Sequence, residues 1–167
     1  DADWNNPSWE NGVSDGLVEI VEGPDALEGR SARVRYPAGW YSRGTQWQLD
    51  LGQSHVELYL SYWVRFEDNF DFVRGGKLPG FCGGACNSGG DVPDGSDGWS
   101  ARMMWHGDGD VVQYVYYPDQ PSQWGHSLDW DNGGYQRSFV PGRWHHLEHR
   151  VVMNTPGQRD GMIQGWF

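Results

Sequence analysis

An all-β sandwich is the fold this sequence predicts, and three observations predict it. Aromatic residues make up 15% of the 167 residues, eleven of them tryptophan; glycine supplies 25 positions and proline nine. Apolar residues also recur at alternate positions in several short runs separated by turn clusters. Such a composition suits a turn-rich β-domain and not a helical bundle. About eight strands with irregular crossings between them fit a β-jelly roll sandwich with one concave, ligand-binding sheet.

Residues 1–16 are polar, with Trp4, Pro7 and Trp9, and read as an irregular lead-in whose tryptophans pack on a sheet. Strands are expected over 17–22, 31–36 and 45–51, separated by turn clusters such as Glu22-Gly23-Pro24-Asp25. The longest runs over 55–66. There Val56, Leu58, Leu60, Tyr62, Val64 and Phe66 alternate with His55, Glu57, Tyr59, Ser61, Trp63 and Arg65, so one face is core and the other amphipathic. From Glu67 to Asp97 the alternation stops in a Gly-, Asp- and Asn-rich stretch that reads as one long loop, and loops of that length usually bind something. A second loop is expected over 118–141, containing Trp124, Trp130 and Tyr135, followed by strands over 143–153 and 161–167. No repeat or linker divides the chain, so a single domain over 1–167 is expected. The chain stops at Gly165-Trp166-Phe167 inside an apolar strand pattern, and further sheet strands are expected to belong with it.

Between the two loops lies GWSARMMWHGDGDVVQYVYY, residues 98–117. Trp99, Ala101, Met103 and Trp105 alternate with Ser100, Arg102 and Met104, the period of a half-buried strand. Gly107-Asp108-Gly109 suits a three-residue hairpin loop. That loop sets His106 opposite Asp110, Arg102 opposite Tyr114 and Ser100 opposite Tyr116. Serine, arginine and two tyrosines then share one face, while Trp99, Ala101, Met103, Trp105, Val111, Val115 and Tyr117 form the core face. A guanidinium beside a phenol favours the phenolate, help that a phenol with a free pKa of about 10 needs. A loop one residue longer would turn the tyrosines away from Arg102.

Charge narrows the partners. The net charge is −11, from 23 acidic and 12 basic residues, which argues against nucleic acid or an anionic membrane. An acidic substrate would require the few basic residues to be concentrated in its groove. No run reaches the ~20 apolar residues of a membrane helix, and no signal segment opens the chain. Cys82 and Cys86 in FCGGAC lie close enough for a disulfide, favoured over two free thiols, and a secreted protein follows. A zinc site would need two more ligands at a recognisable spacing.

Two clusters invite a metal reading. On a strand His145 and His149 share one face while His146 and Glu148 share the other, which suits a solvated or aromatic-packed outer face better than a metal site. Asp91, Asp94 and Asp97 in their Gly-rich loop could hold a structural Ca²⁺ through oxygen ligands, without the order of an EF-hand loop.

At Gly75 to Gly80 (GGKLPG), Gly98 to Trp105 (GWSARMMW) and Tyr114 to Tyr117 (YVYY), the chain resembles the polysaccharide lyases of family 14, with their relatives in family 20. The Pro141-Gly142-Arg143-Trp144-His145-His146 stretch and residues 154–167 are similar to that family's later strands, so the resemblance covers roughly 66–167. It implies a β-jelly roll that cleaves a polyuronate, alginate or glucuronan, by β-elimination. It places the family's functional lysine on Lys77, its serine and arginine on Ser100 and Arg102, and its tyrosines on Tyr114 and Tyr116. Arg102 would neutralise the substrate carboxylate with a further hydrogen bond from Ser100. Tyr114 or Tyr116 would act as base, acid or both; Lys77 would lower the tyrosine pKa or bind an adjacent carboxylate. No cofactor is required on this reading, and a monomer is expected. The Cys82 and Cys86 loop departs from the family pattern. The rival readings are a non-catalytic carbohydrate-binding module, which needs stacking aromatics but not this polar set, and a glycoside hydrolase, which needs two placed carboxylates that the hairpin lacks.

Overall fold

The computed structural model describes residues 7, 9–39, 44–130 and 134–167. Where the sequence reads as one domain, the chain divides into two compact units, Asp1–His55 and Val56–Phe167. In the first, β1 (Trp9–Asn11) pairs antiparallel with β4 (Gln46–Gln48), and β2 (Val18–Glu22) forms a hairpin with β3 (Arg30–Val34). A 3₁₀ turn at Gly23–Asp25 follows β2, as the Gly-Pro-Asp cluster predicts. Arg33 bridges Glu19 and Asp25, and Arg35 also reaches Glu19, lacing the hairpin with exposed ion pairs. β1 falls in the stretch expected to be irregular; Trp4 lies outside the described residues.

The second unit holds β5 (Glu57–Arg65), β6 (Gly75–Gly84), β7 (Gly98–His106), β8 (Val111–Tyr116), β9 (His126–Asp129), β10 (Trp144–Val152) and β11 (Met162–Trp166). They form a three-stranded sheet ordered β11-β10-β5 and a four-stranded sheet ordered β6-β7-β8-β9, antiparallel throughout and packed as a jelly-roll sandwich. Phe66, Phe72, Met103, Trp105, Val111, Phe139 and Leu147 form the core between the sheets, with Tyr62, Val64 and Leu78 packed against it. Phe66 anchors it, its ring 4.9 Å from Phe72 and 5.1 Å from both Trp105 and Phe139 in tilted or edge-on contact. Val56 precedes β5 and is exposed, unlike the alternating residues after it.

Two strands lie inside stretches expected to be loops. β9 interrupts 118–141, of which residues 131–133 lie outside the described residues. β6 occupies GGKLPGFCGG, half of it glycine and carrying a proline, composition that argues against a strand. Its glycines are complementary to large partners on β7. A Cβ on Gly76 would enter the Trp105 ring, and one on Gly83 would lie 2.6 Å from Trp99 Nε1. The register shifts between Lys77 and Gly80, a bulge that takes up Leu78-Pro79.

His149 corrects the outer-face reading of the histidines. It faces the core, fully buried, 5.7 Å from the Phe81 ring, with neither ring nitrogen hydrogen-bonded. Burial lowers its pKa to about 4 and keeps it neutral. His145 and His146 are aromatic-packed as expected: His145 stacks on Phe167 at 5.1 Å, and His146 stacks on Trp63 at 4.8 Å.

Candidate active site

The site is built on the outward face of β6, β7 and β8. Gly107–Gly109 closes the β7–β8 hairpin as a three-residue turn with Asp108 and Gly109 at φ of 63° and 80°. The resulting register opposes Ser100 to Tyr116 and Arg102 to Tyr114, and the His106 amide donates to the Asp110 carbonyl. The tyrosines therefore stand beside Arg102, as the loop length predicts. On the other face Ala101, Met103, Trp105 and Val111 are buried, with Trp99, Val115 and Tyr117 half-buried.

β6 adds the lysine. Lys77 pairs with Met104 on β7, and its ammonium lies 5.4 Å from the Tyr114 ring centroid. Desolvation, with the like charge of Arg102, pulls the lysine below its ordinary pKa. Arg102 is half-buried. One of its terminal nitrogens donates weakly to Ser100 Oγ at 3.4 Å, and its buried Nε–H has no partner. Among the described residues no carboxylate pairs with Arg102 or Lys77, so two cations converge here without counter-charge in a chain of net charge −11.

Ser100 plays a part that its position alone does not predict. Its hydroxyl is buried and donates to the Asn87 carbonyl at 2.6 Å, so the proton assigned to a substrate bond is already committed within the protein. It accepts from Arg102 and thereby orients the guanidinium.

The two tyrosines are not equivalent. Tyr116 is only 1% exposed, and its hydroxyl accepts from the Gly90 amide at 3.1 Å. Tyr114 is half-exposed, its ring edge-on to Tyr116 with centroids 5.6 Å apart. Burial, with the neighbouring Tyr116 hydroxyl, pushes Tyr114 up to about 12. Burial opposes ionisation of Tyr116 as well, but bonds from Tyr114, Gly90 and Gly125, with the Lys77 charge, outweigh it and bring Tyr116 below the ordinary phenol value. Gly125 must be glycine for this contact, since a Cβ would lie 2.6 Å from the Tyr116 ring and 2.7 Å from Tyr114.

The Gly90 and Gly125 amides, the Asn87 carbonyl and a His106–Ser127 pair (3.2 Å) on the same face were not among the predicted site residues. Period-two counting from Arg102 finds His106. Nothing in the sequence marks the loop amides. Cys82 and Cys86 form the expected disulfide. Asp91 and Asp97 both accept from the Asn87 side-chain amide, at 3.2 and 2.8 Å, and Asp94 accepts from the Ser96 and Asp97 amides. Among the described residues no group of three or more His, Cys, Asp or Glu side chains is arranged to hold a metal ion. An open cavity of about 550 Å³, lined by residues including Gln113, Trp130, Arg137 and Trp166, contains none of the five predicted site residues.

Fold and site together define a jelly roll whose polar face sets two unpaired cations beside two tyrosines. The family model for polysaccharide lyase 14 matches residues 25–167, and the chain belongs to that family. Alginate lyase Aly36B is 35% identical over 66% of this chain and 47% of its own, with a TM-score of 0.57. A double variant of that enzyme, solved in complex with an alginate tetrasaccharide, gives 34% and 0.59 over the same shares. The PL-14 alginate lyase of the marine Aplysia kurodai is 28% identical over 97% of this chain and 70% of its own, with a TM-score of 0.75. The chain thus spans about half the length of Aly36B. No curated protein matches it.

Proposed function

We propose that this chain cleaves alginate by β-elimination. The observation that carries the proposal is the pair Arg102 and Lys77, buried or desolvated at their charged ends and without a carboxylate partner among the described residues, next to a substrate-accessible tyrosine. Cationic side chains so placed await an anion, and a uronate carboxylate supplies one. Binding it withdraws charge from C5 and makes that proton removable. Tyr114, the accessible phenol, takes the C5 proton as its own passes to the Tyr116 phenolate, which the Gly90 amide and the Lys77 charge favour before the step, while the charge left at C5 spreads into the carboxylate bound by Arg102. The C5–H and C4–O bonds break, a C4–C5 double bond forms, and Tyr114 gives a proton to the departing O4 as Tyr116 returns its own to Tyr114. Ser100 holds Arg102 in place. A secreted site of action agrees with the Cys82–Cys86 bridge.

The test is absorbance near ~235 nm, where only the conjugated elimination product absorbs, during incubation with polymannuronate, polyguluronate and glucuronan separately. A rise on an alginate block that Arg102→Ala abolishes is expected. A rise on glucuronan alone would replace the substrate. Retention of polymer with no rise on any would make the chain a binding module.

A further inference from the structure

We infer that the Cys82–Cys86 bridge is a positioning device: it ties the loop 87–90 to strand β6 and thereby fixes the Gly90 amide on the Tyr116 hydroxyl and the Asn87 carbonyl on Ser100. Cys82 sits in β6 directly opposite Ser100, and Cys86 immediately precedes Asn87. The bridge thus spans from the sheet to the residue that leads into the loop that covers the tyrosine. That loop reads Asn87-Ser88-Gly89-Gly90, and Gly89 and Gly90 take φ of 67° and 97°. Such a sequence has little stiffness of its own, so holding its amide at 3.1 Å from one hydroxyl requires an external restraint.

The restraints are visible. Cys86 is itself left-handed at φ 53°, its amide donating to Gly83 at 3.1 Å, and the Ala85 amide donates to Asp97 at 2.9 Å. Asn87, 1% exposed, reaches Asp91 and Asp97 through its side chain while its carbonyl takes the Ser100 proton. The loop therefore contacts both halves of the polar face: Ser100, which orients Arg102, and Tyr116, whose ring packs edge-on against Tyr114. The charged and titratable groups facing the Tyr116 hydroxyl are Lys77 from β6, Arg102 from β7 and Tyr114 beside it on β8. Asp91 and Asp97, the nearby acids of the loop, are taken by Asn87. With the bridge open, the Gly90 amide is free to leave and Tyr116 loses a donor to its phenolate. The consequence for turnover rests on the lyase reading; the hydrogen-bond geometry does not.

The experiment compares the oxidised protein with Cys82→Ala/Cys86→Gly, glycine being chosen because residue 86 is left-handed. Reduced wild type is a second arm: dithiothreitol cleaves the bridge to two thiols and becomes its cyclic disulfide. In each background the tyrosinate absorbance titration is taken on Tyr114→Phe with the Tyr114→Phe/Tyr116→Phe protein subtracted, so that the neighbouring phenol is absent from both and the difference reports Tyr116. The expected result is a Tyr116 midpoint higher by about one pH unit, the worth of one charge-assisted bond. The pH profile of kcat should move the same way, with KM within about twofold. A midpoint that stays put with the bridge open overturns the inference. So does a chain that loses its fold once the bridge is gone, because the bridge is then structural. If the oxidised protein makes no unsaturated product from any polymer, the lyase reading fails, and the titration still decides the role of the bridge.

Discussion

The two faces of the β7–β8 hairpin are one residue step apart and physically opposite. On the inner face Ala101, Met103, Trp105 and Val111 are buried and apolar, and the Trp105 indole N–H finds the Phe72 carbonyl at 3.3 Å. On the outer face, among the described residues, Arg102 keeps a buried N–H without a partner and no carboxylate pairs with Lys77. An inner side chain contributes by removing apolar area from water. An outer one does the reverse: a desolvated, unpaired cation costs stability and is offset only when an anion arrives. Stability and function are thus assigned to alternate residues of the same strands, and each face can be broken without the other.

Tyr114→Phe tests the outer face most sharply. It removes one oxygen from the half-exposed tyrosine and leaves the ring on Tyr116. Turnover should fall by roughly three orders of magnitude, about 4 kcal/mol, with the thermal midpoint unchanged. Tyr116→Phe should fall less, because a buried phenol acts through its neighbour; equal or reversed effects would reassign the proton-transferring role.

Trp105→Ala tests the inner face. The ring packs on Phe66 at 5.1 Å and Phe70 at 5.7 Å. Its loss should cost about 3–5 kcal/mol in urea unfolding. The folded fraction should still turn over near the parent rate, and a per-molecule rate that collapses in fully folded protein would show the two faces to be coupled.

The core also holds a titrating histidine on β10. His149 is held neutral, its folded pKa of about 4 lying below the 6.5 of an unperturbed histidine. The unfolded chain therefore binds the proton more readily, so this contribution is complete above about pH 6.5 and is lost as pH falls towards 4, amounting to about 3 kcal/mol. Urea unfolding at pH 7 and 4.5 should show that loss in the parent and a smaller one in His149→Phe, which keeps a ring against Phe81. Equal losses in both would place the acid sensitivity in the carboxylates.

How much of this was legible beforehand follows from sequence separation. The hairpin register was, because a Gly-Asp-Gly turn counts the strands into place over a few residues, and the bridge was, because its cysteines are four apart. β6 was not: its propensities argue for a loop, and only the Trp99 and Trp105 rings filling the space over its glycines make it a strand. The bonds from loop 87–90 span 13 and 26 residues to Ser100 and Tyr116, and no periodicity encodes them. His149 follows the alternation faithfully but is a polar residue on the core side, where residue type pointed outward.

The smallest effect is the most discriminating. Arg102→Met keeps much of the side-chain volume, removes the unpartnered buried N–H and relieves Lys77 of a neighbouring like charge. If the cation is held for an anionic substrate and not for the fold, stability in denaturant should be unchanged or rise by about 1 kcal/mol, while elimination and polymer retention are lost. A merely structural arginine gives the opposite pattern, a destabilised protein whose folded molecules still bind. Adding a saturating alginate oligomer should then raise the thermal midpoint of the parent and raise that of the variant much less, since the variant keeps Lys77 but has lost the guanidinium that the carboxylate meets.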